Sequence, residues 1–271
     1  MVPSPSPAFP AKGQPSKSVS LSEAMEPAAV VRSSLLSGIP SLRCGLSTRN
    51  GGVSREPYGM NTSYSVGDAG EHVEENRKRF LAALGIPPDQ VASPRQRHTA
   101  TIRKISAAGA YEDCDALMTD TPNVFLSVTV ADCVPIFLYD REQKIVACVH
   151  AGWRGTQQQI LLNTIRTMKQ EFGSLPETTL AFIGPSAAAC CYEIGEDVAK
   201  QFGSEVLSSR GGKTYLDLKQ ANKMQLHLGG IPDVNIEVHE HCTICNLNIY
   251  HSYRRDRDRS GRMMGVIGMT Q

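Results

Sequence analysis

Three apolar runs crowd the middle of the chain. NVFLSVTVADC ends at Cys133, VPIFLYD follows at once and ends at Asp140, and KIVACVH ends at His150. Each is rich in β-branched and aromatic residues and bounded by polar positions, which predicts buried strands. TTLAFIG, NIEVHE and RMMGVIGM predict three more. Elsewhere the period changes. HVEENRKRFLAALG sets Val73, Phe80 and Leu84 on one helical face, with Gly85 as a stop and Pro87 beyond it. TQQQILLNTIRTMKQEF spaces Leu161, Ile165, Met168 and Phe172 by four, three and four, which predicts one amphipathic helix with Thr156 as its N-cap. GEDVAKQF and DLKQANKMQLHLGG predict helices, the second ended by glycine. STRNGGVS carries an Asn-Gly-Gly turn of hairpin type. No repeat or dividing linker interrupts residues 41–270. The pattern therefore predicts an α/β mixture in one domain, sheets inside and helices outside.

Composition narrows the classes. The chain has 271 residues, 41% apolar and 20% charged, enough to bury a core without disulfide staples. A formal net charge of +1 gives no field that would gather nucleic acid or an acidic membrane, and no apolar run approaches the roughly 20 residues of a bilayer span. Residues 1–26 are rich in Pro, Ser and Ala, lack the apolar core of a secretory signal, and predict a disordered leader. Eight cysteines (44, 114, 133, 148, 190, 191, 242 and 245) make an even count. In a chain of this length without a signal they are expected to be reduced thiols in a cytoplasmic protein.

The ends of the apolar runs carry the candidate chemistry. One delivers Asp132 and Cys133, the next His150. His98, in RQRHT, is a third candidate. A thiolate and two imidazoles suit Zn²⁺ or copper and leave a fourth position open, as catalytic sites do. Spacing alone carries no signature here, and a buried Cys with satisfied His residues is the plainer reading of the same positions. After His150, Gly152 and Gly155 flank Trp153 and Arg154 at a predicted helix start, where amide groups and a guanidinium suit an anion. A glycine turn with a surface Arg is the alternative. Asp132 is a candidate for orienting a ligand or moving a proton, or for capping strand-end amides. HEHCTIC, with His239, His241, Cys242 and Cys245, is a second metal or redox candidate, though in a strand Cys242 faces away from the two His. In YHSYRRDRDRSGRMMG, Asp256 and Asp258 interleave with five arginines and dilute any nucleic-acid patch.

STRNGGVS, NTSYSVGD, RQRHT, DALMTD, VADCVPIFLYD, VHAGWRGT, GPSAAACCYEIGEDV and YHSYRRDRDRSGRMMG occur in an order that resembles the laccase-domain family. That family was once described as multicopper polyphenol oxidases and is now described as purine nucleoside phosphorylases. The likeness runs from about Ser41 to the C-terminus. It implies one domain over 27–271 and a layered α/β/β/α mixed-sheet sandwich similar to toxin-type cysteine hydrolases. It also implies Zn²⁺, with copper as the alternative, held by His98, Cys133 and His150. The implied activity is phosphorolysis of adenosine, inosine and methylthioadenosine, with adenosine deamination; a copper-dependent polyphenol oxidase is the other reading. The implied partners are a purine nucleoside and phosphate, in a monomer or small homo-oligomer. Cys133, His150, Asp132 and Arg154 are then the candidate catalytic residues, with Cys133 as nucleophile and His150 as base a variant on the same set. Arg49, Asn61, Arg154 and Arg255 are candidates for holding substrate. Three positions depart from the family pattern: Arg97 and Thr99, beside the first ligand, replace the usual Val and Gly, and His251, before SYRRD, replaces an apolar residue.

Overall fold

The computed structural model describes residues 28–271; the predicted leader lies outside them. Two six-stranded mixed sheets make the core. The first runs in the order β1 (Val30–Val31), β2 (Leu42–Ser47), β15 (Met263–Met269), β7 (Phe125–Val130), β3 (Val91–Pro94) and β5 (Gly109–Tyr111). The second runs β14 (Ile236–Val238), β10 (Thr179–Ile183), β8 (Val134–Asp140), β9 (Ile145–Ala151), β6 (Ala116–Thr119) and β4 (Ile102–Lys104). A small antiparallel sheet of β11 (Glu193–Ile194), β13 (Lys213–Leu216) and β12 (Leu207–Arg210) makes a third, packing Ile194 and Leu216 into the cluster outside the second sheet.

The period of two in each strand decides what lies between the sheets. In β8, Val134, Ile136 and Leu138 join an outer cluster while Phe137 and Tyr139 join an inner one. In β9, Ile145, Ala147, Val149 and Ala151 go outward, and Val146 and Cys148 inward. The inner cluster takes Leu126, Val128, Met263 and Ile267 from the first sheet, so the two sheets face each other across it. Helix α4 (Ile160–Phe172) and helix α6 (Leu218–Leu228) cover the outer face of the second sheet. Helix α2 (Gly70–Leu84) covers the first sheet with Phe80, Leu81 and Leu84, and ends at Gly85 in the left-handed conformation, φ 68°. All seven residues of β8 and all seven of β9 are buried, because both faces are covered.

Two local expectations fail for physical reasons. The helix predicted to start at Thr156 is broken. α3 (Trp153–Gln157) closes first, Gln159 turns left-handed at φ 59°, and α4 begins at Ile160. Helix α6 supplies what the break costs. Gln225 donates to Thr156 O and accepts from Leu162 N, and Asn222 donates to Thr156 Oγ1. Thr156 is thus a buried partner of α6 instead of a cap, and Gln225 takes over the capping bond. The Asn-Gly-Gly turn makes no hairpin. Arg49 and Asn50 bond to the carbonyls of Leu247, Ile249 and Asn248, so this loop docks on the C-terminal third of the chain. The short helices α1 (Ser34–Ser37), α5 (Glu196–Ala199) and α7 (Tyr253–Asp256) complete the set; α5 is all that forms of the helix expected in GEDVAKQF.

Asp140 closes β8 at the end away from Cys133. It accepts from Ser174, Thr178 and the N–H groups of Glu142, Gln143 and Leu175. Burial alone would push this carboxyl up, but the hydrogen bonds from Ser174, Gln143, Thr178 and Glu142 outweigh it and hold it below its ordinary value. A lowered carboxyl stabilises the fold above its unfolded pKa, about 3.9, and loses that contribution as pH falls through the folded value. Asp140→Asn should therefore cost about 1–3 kcal/mol at pH 7. In urea denaturation the gap from wild type should narrow below pH 4.

Candidate active site

Sheet geometry brings the site together at one end of the inter-sheet layer. β8 and β9 pair antiparallel, with Pro135 opposite His150, so the start of one strand lies beside the end of the other. Cys133 shares the parity of Phe137, and His150 that of Val146 and Cys148, so both aim between the sheets. His98 comes from the loop after β3 and has φ 59°. One donor atom from each of His98, Cys133 and His150 lies within 4.8 Å of the others, and the two imidazoles meet edge to face at 4.9 Å. His150 is buried, Cys133 half-buried and His98 exposed, so the group opens on one side.

Asp115, immediately before β6, ties the group together. Its Oδ1 meets His150 Nδ1 at 2.7 Å and accepts from His98 N at 3.0 Å. Its Oδ2 accepts from Arg97 N, Thr99 N and Thr99 Oγ1. The carboxylate is fully buried, yet its pKa falls to about 2: burial raises it, and the bonds from His150, Thr99 and Arg97 outweigh burial. Because His150 Nδ1 faces Asp115, its Nε2 is the nitrogen turned to Cys133. Burial would raise the Cys133 thiol, but His150 and then His98 bring it down to about 6. His150 responds in the opposite sense: burial lowers it, Cys133 and Asp115 raise it, and it reaches about 9. The two rings thus hold Cys133 toward its thiolate form.

Gly152 shows the space this arrangement needs. A Cβ there would sit 3.0 Å from Cys133 Sγ and 3.1 Å from His98 Cδ2. A side chain at this position would fill the cradle the three donors share. A soft thiolate, two imidazoles, an open fourth side and a carboxylate behind one imidazole together fit Zn²⁺.

The other predicted residues divide. Asp132 does not touch the donors. At φ 83° it sends Oδ1 to Thr243 Oγ1 and Oδ2 to Ser252 Oγ and Arg254 N, so it latches the C-terminal loop beside Cys133. The orienting carboxylate is Asp115, which the sequence offered only inside DALMTD. Arg255 is spent on the carbonyls of Thr243, Ile244 and Tyr250 and on Asp256. Arg49 binds Leu247 O, Pro57 O and Glu56. Asn61 is fully buried and bonded to Ser63, Asp68 and the Arg262 amide. These three brace the loops around the site. Arg154 is exposed, its guanidinium 4.4 Å from the Trp153 ring centroid, and the five-residue α3 is too short to make the predicted anion seat.

Three wall residues went unassigned in the sequence. Tyr192 senses the Cys133 charge, and Arg254 lies 5.1 Å from its ring centroid. Arg262 feels Asp132 and Cys133 and lies over the Tyr253 ring. His239 and His241 stack edge to face at 4.7 Å and join neither convergent group of metal-binding side chains found among the described residues. The second such group is Cys190, Cys191, Cys242 and Cys245. No helix among the described residues is long and apolar enough to cross a membrane.

Residues 43–270 match the family model described as multi-copper polyphenol oxidoreductase laccase. The chain is similar to a purine nucleoside phosphorylase of Deinococcus radiodurans, 38% identical over 86% of this chain and 94% of that protein. It is 34% identical to adenosine deaminase RL5 of an unknown prokaryote, over 80% of this chain and 90% of that one. Among solved structures, YlmD from Geobacillus stearothermophilus superposes with a TM-score of 0.83 at 32% identity, covering 88% of this chain and 94% of that one.

Asp115→Asn keeps the shape of the carboxylate but sets an amide nitrogen against donors that need an acceptor. Zinc affinity of this variant should fall about 10- to 100-fold in competition with a chromophoric chelator. Asp132→Asn, whose side chain touches no donor, should move it far less.

Proposed function

The chain belongs to the multi-copper polyphenol oxidoreductase laccase family, and from that membership and the site geometry we propose that it is a purine nucleoside phosphorylase that also deaminates adenosine. The observation that carries this reading is the convergence of His98, Cys133 and His150 beside a wall that holds Arg254 and Arg262. His98, Cys133 and His150 would hold Zn²⁺, which supplies Lewis acidity when bound. The relatives named purine nucleoside phosphorylase and adenosine deaminase support the two activities.

The chain's own groups have distinct tasks. Asp115 accepts the Nδ1 proton of His150 and fixes which ring nitrogen faces Cys133. Phosphorolysis breaks the bond between ribose and base, joins ribose to phosphate, and requires a proton on the departing purine. Arg262 interacts with the Cys133 charge and Arg254 lies over the neighbouring Tyr192 ring, and we assign these two cations the phosphate, with the exposed Arg154 as a further candidate. Tyr192 keeps its proton at neutral pH, because burial and the Cys133 charge push its phenol up to about 12. It is our choice as hydrogen-bond donor to the purine. Deamination exchanges the exocyclic amine for oxygen from water and releases ammonia, so it needs no phosphate.

That difference gives the test. Zinc-loaded protein should release adenine and ribose 1-phosphate from adenosine only when phosphate is present, and inosine without it. Cys133→Ser should abolish both. Arg254→Ala should raise the phosphate KM about 10- to 100-fold, the value of a lost charged hydrogen bond, and disturb deamination less. Absence of both products at every metal loading would overturn the proposal.

A further inference from the structure

The four cysteines outside the active site form a cluster that the chemistry above does not use. Cys190 and Cys191 sit in a turn between β10 and β11; Cys242 and Cys245 lie 52 and 54 residues further along from Cys190 and Cys191 respectively. Cys245 Sγ is 3.5 Å from Cys190 Sγ and 3.1 Å from Cys191 Sγ, and all four sulfurs lie within 4.8 Å of one another. A tetrahedral zinc with bonds of about 2.3 Å sets sulfur pairs about 3.8 Å apart, inside the observed spread. A disulfide would join only two of them, at about 2.0 Å, and would leave the convergence of the other two without a cause.

The surroundings suit an anionic thiolate centre. Lys219 is buried, donates to His239 O and His241 O, and is close enough to interact electrostatically with Cys242 and Cys190. Arg210 donates to Ala189 O and Cys190 O and steadies the first turn. Asn246 donates from N and Nδ2 to Cys242 O and steadies the second. A backbone bridge between Ser186 and Cys242, with Thr243 N bonded to Ser186 O, already sets the two segments side by side.

We propose that Cys190, Cys191, Cys242 and Cys245 bind one zinc-class soft divalent cation in a closed tetrathiolate site, separate from the His98–Cys133–His150 centre. Four protein ligands leave no open position, so the role is structural. The site clamps two segments that feed the active-site wall. The first continues directly into Tyr192. The second continues into Thr243, Ser252 and Arg254, the partners of Asp132.

The test uses the full chain with the active-site ligand removed. Cys133→Ser protein, purified under reducing conditions without chelator, should keep about one zinc per chain. Exchange of that zinc for cobalt should give the intense charge-transfer and red visible bands of tetrahedral thiolate coordination. Adding Cys190→Ser and Cys245→Ser should remove both the metal and the bands. In the Cys133→Ser protein, native thiol titration should leave four cysteines protected that a chelator exposes under reducing-agent-free conditions. A Cys133→Ser protein without metal overturns the proposal, as does a thiol count that stays two short after chelation and denaturation, the mark of a disulfide. Neither outcome depends on nucleoside turnover, so failure here is distinguishable from failure of the proposed activity.

Discussion

One buried carboxylate organises the candidate active site. Asp115 collects five hydrogen bonds, three of them from the amides of Arg97, His98 and Thr99 and one from the His150 ring. A charge taken fully out of water is tolerable only when its acceptor sites are filled this way. The same bonds that stabilise the anion fold the loop carrying His98 and set the face of His150. Burial cost and ligand placement are met by one set of contacts. Cys133 is then left between two imidazoles, where its proton is easily lost.

The sheets supply what the carboxylate cannot. Cys133 and His150 hang from strands buried on both faces, whose parity aims them between the layers. His98 hangs from a loop and depends on Asp115 for its position. The donor set is thus two rigid positions and one held by hydrogen bonds, with Gly152 keeping the shared space clear. A polyphenol oxidase would need a richer assembly of His ligands than the described residues bring together; His239 and His241 are turned to each other and to Tyr250.

How much of this was legible follows from how local each signal is. The strands that end at Asp140 and Ala151 were plain, since apolar runs with turn residues around them have one economical fate. The helix break at Gln159 was not, because its cause is Gln225 and Asn222, more than 60 residues away on another helix. Asp132 was conspicuous beside Cys133, but adjacency in sequence sends neighbouring strand-end side chains different ways, and its carboxylate went to Thr243 and Ser252. Asp115 gave no local sign: its partners come from a loop before it and a strand after it. Arg49 and Arg255 looked like substrate groups because an arginine in a loop does not show which carbonyls will take its donors. Cys242 and Cys245 could be noticed as a pair, but Cys190 and Cys191 reach them only through the fold.

The segment between Ser252 and Arg262 is fastened at both ends and exposed in the middle. Asp132 grips Ser252 and Arg254 at one end, and Asn61 and Thr62 grip Arg262 at the other. Arg257, Asp258 and Arg259 between them are exposed. None of these three exposed residues is bonded to His98, Cys133 or His150, so substitutions there would leave the three donors where Asp115 and the strands hold them. Surface change in this segment and the placement of the donors are thus decoupled: a descendant of this chain can vary the one without rebuilding the other.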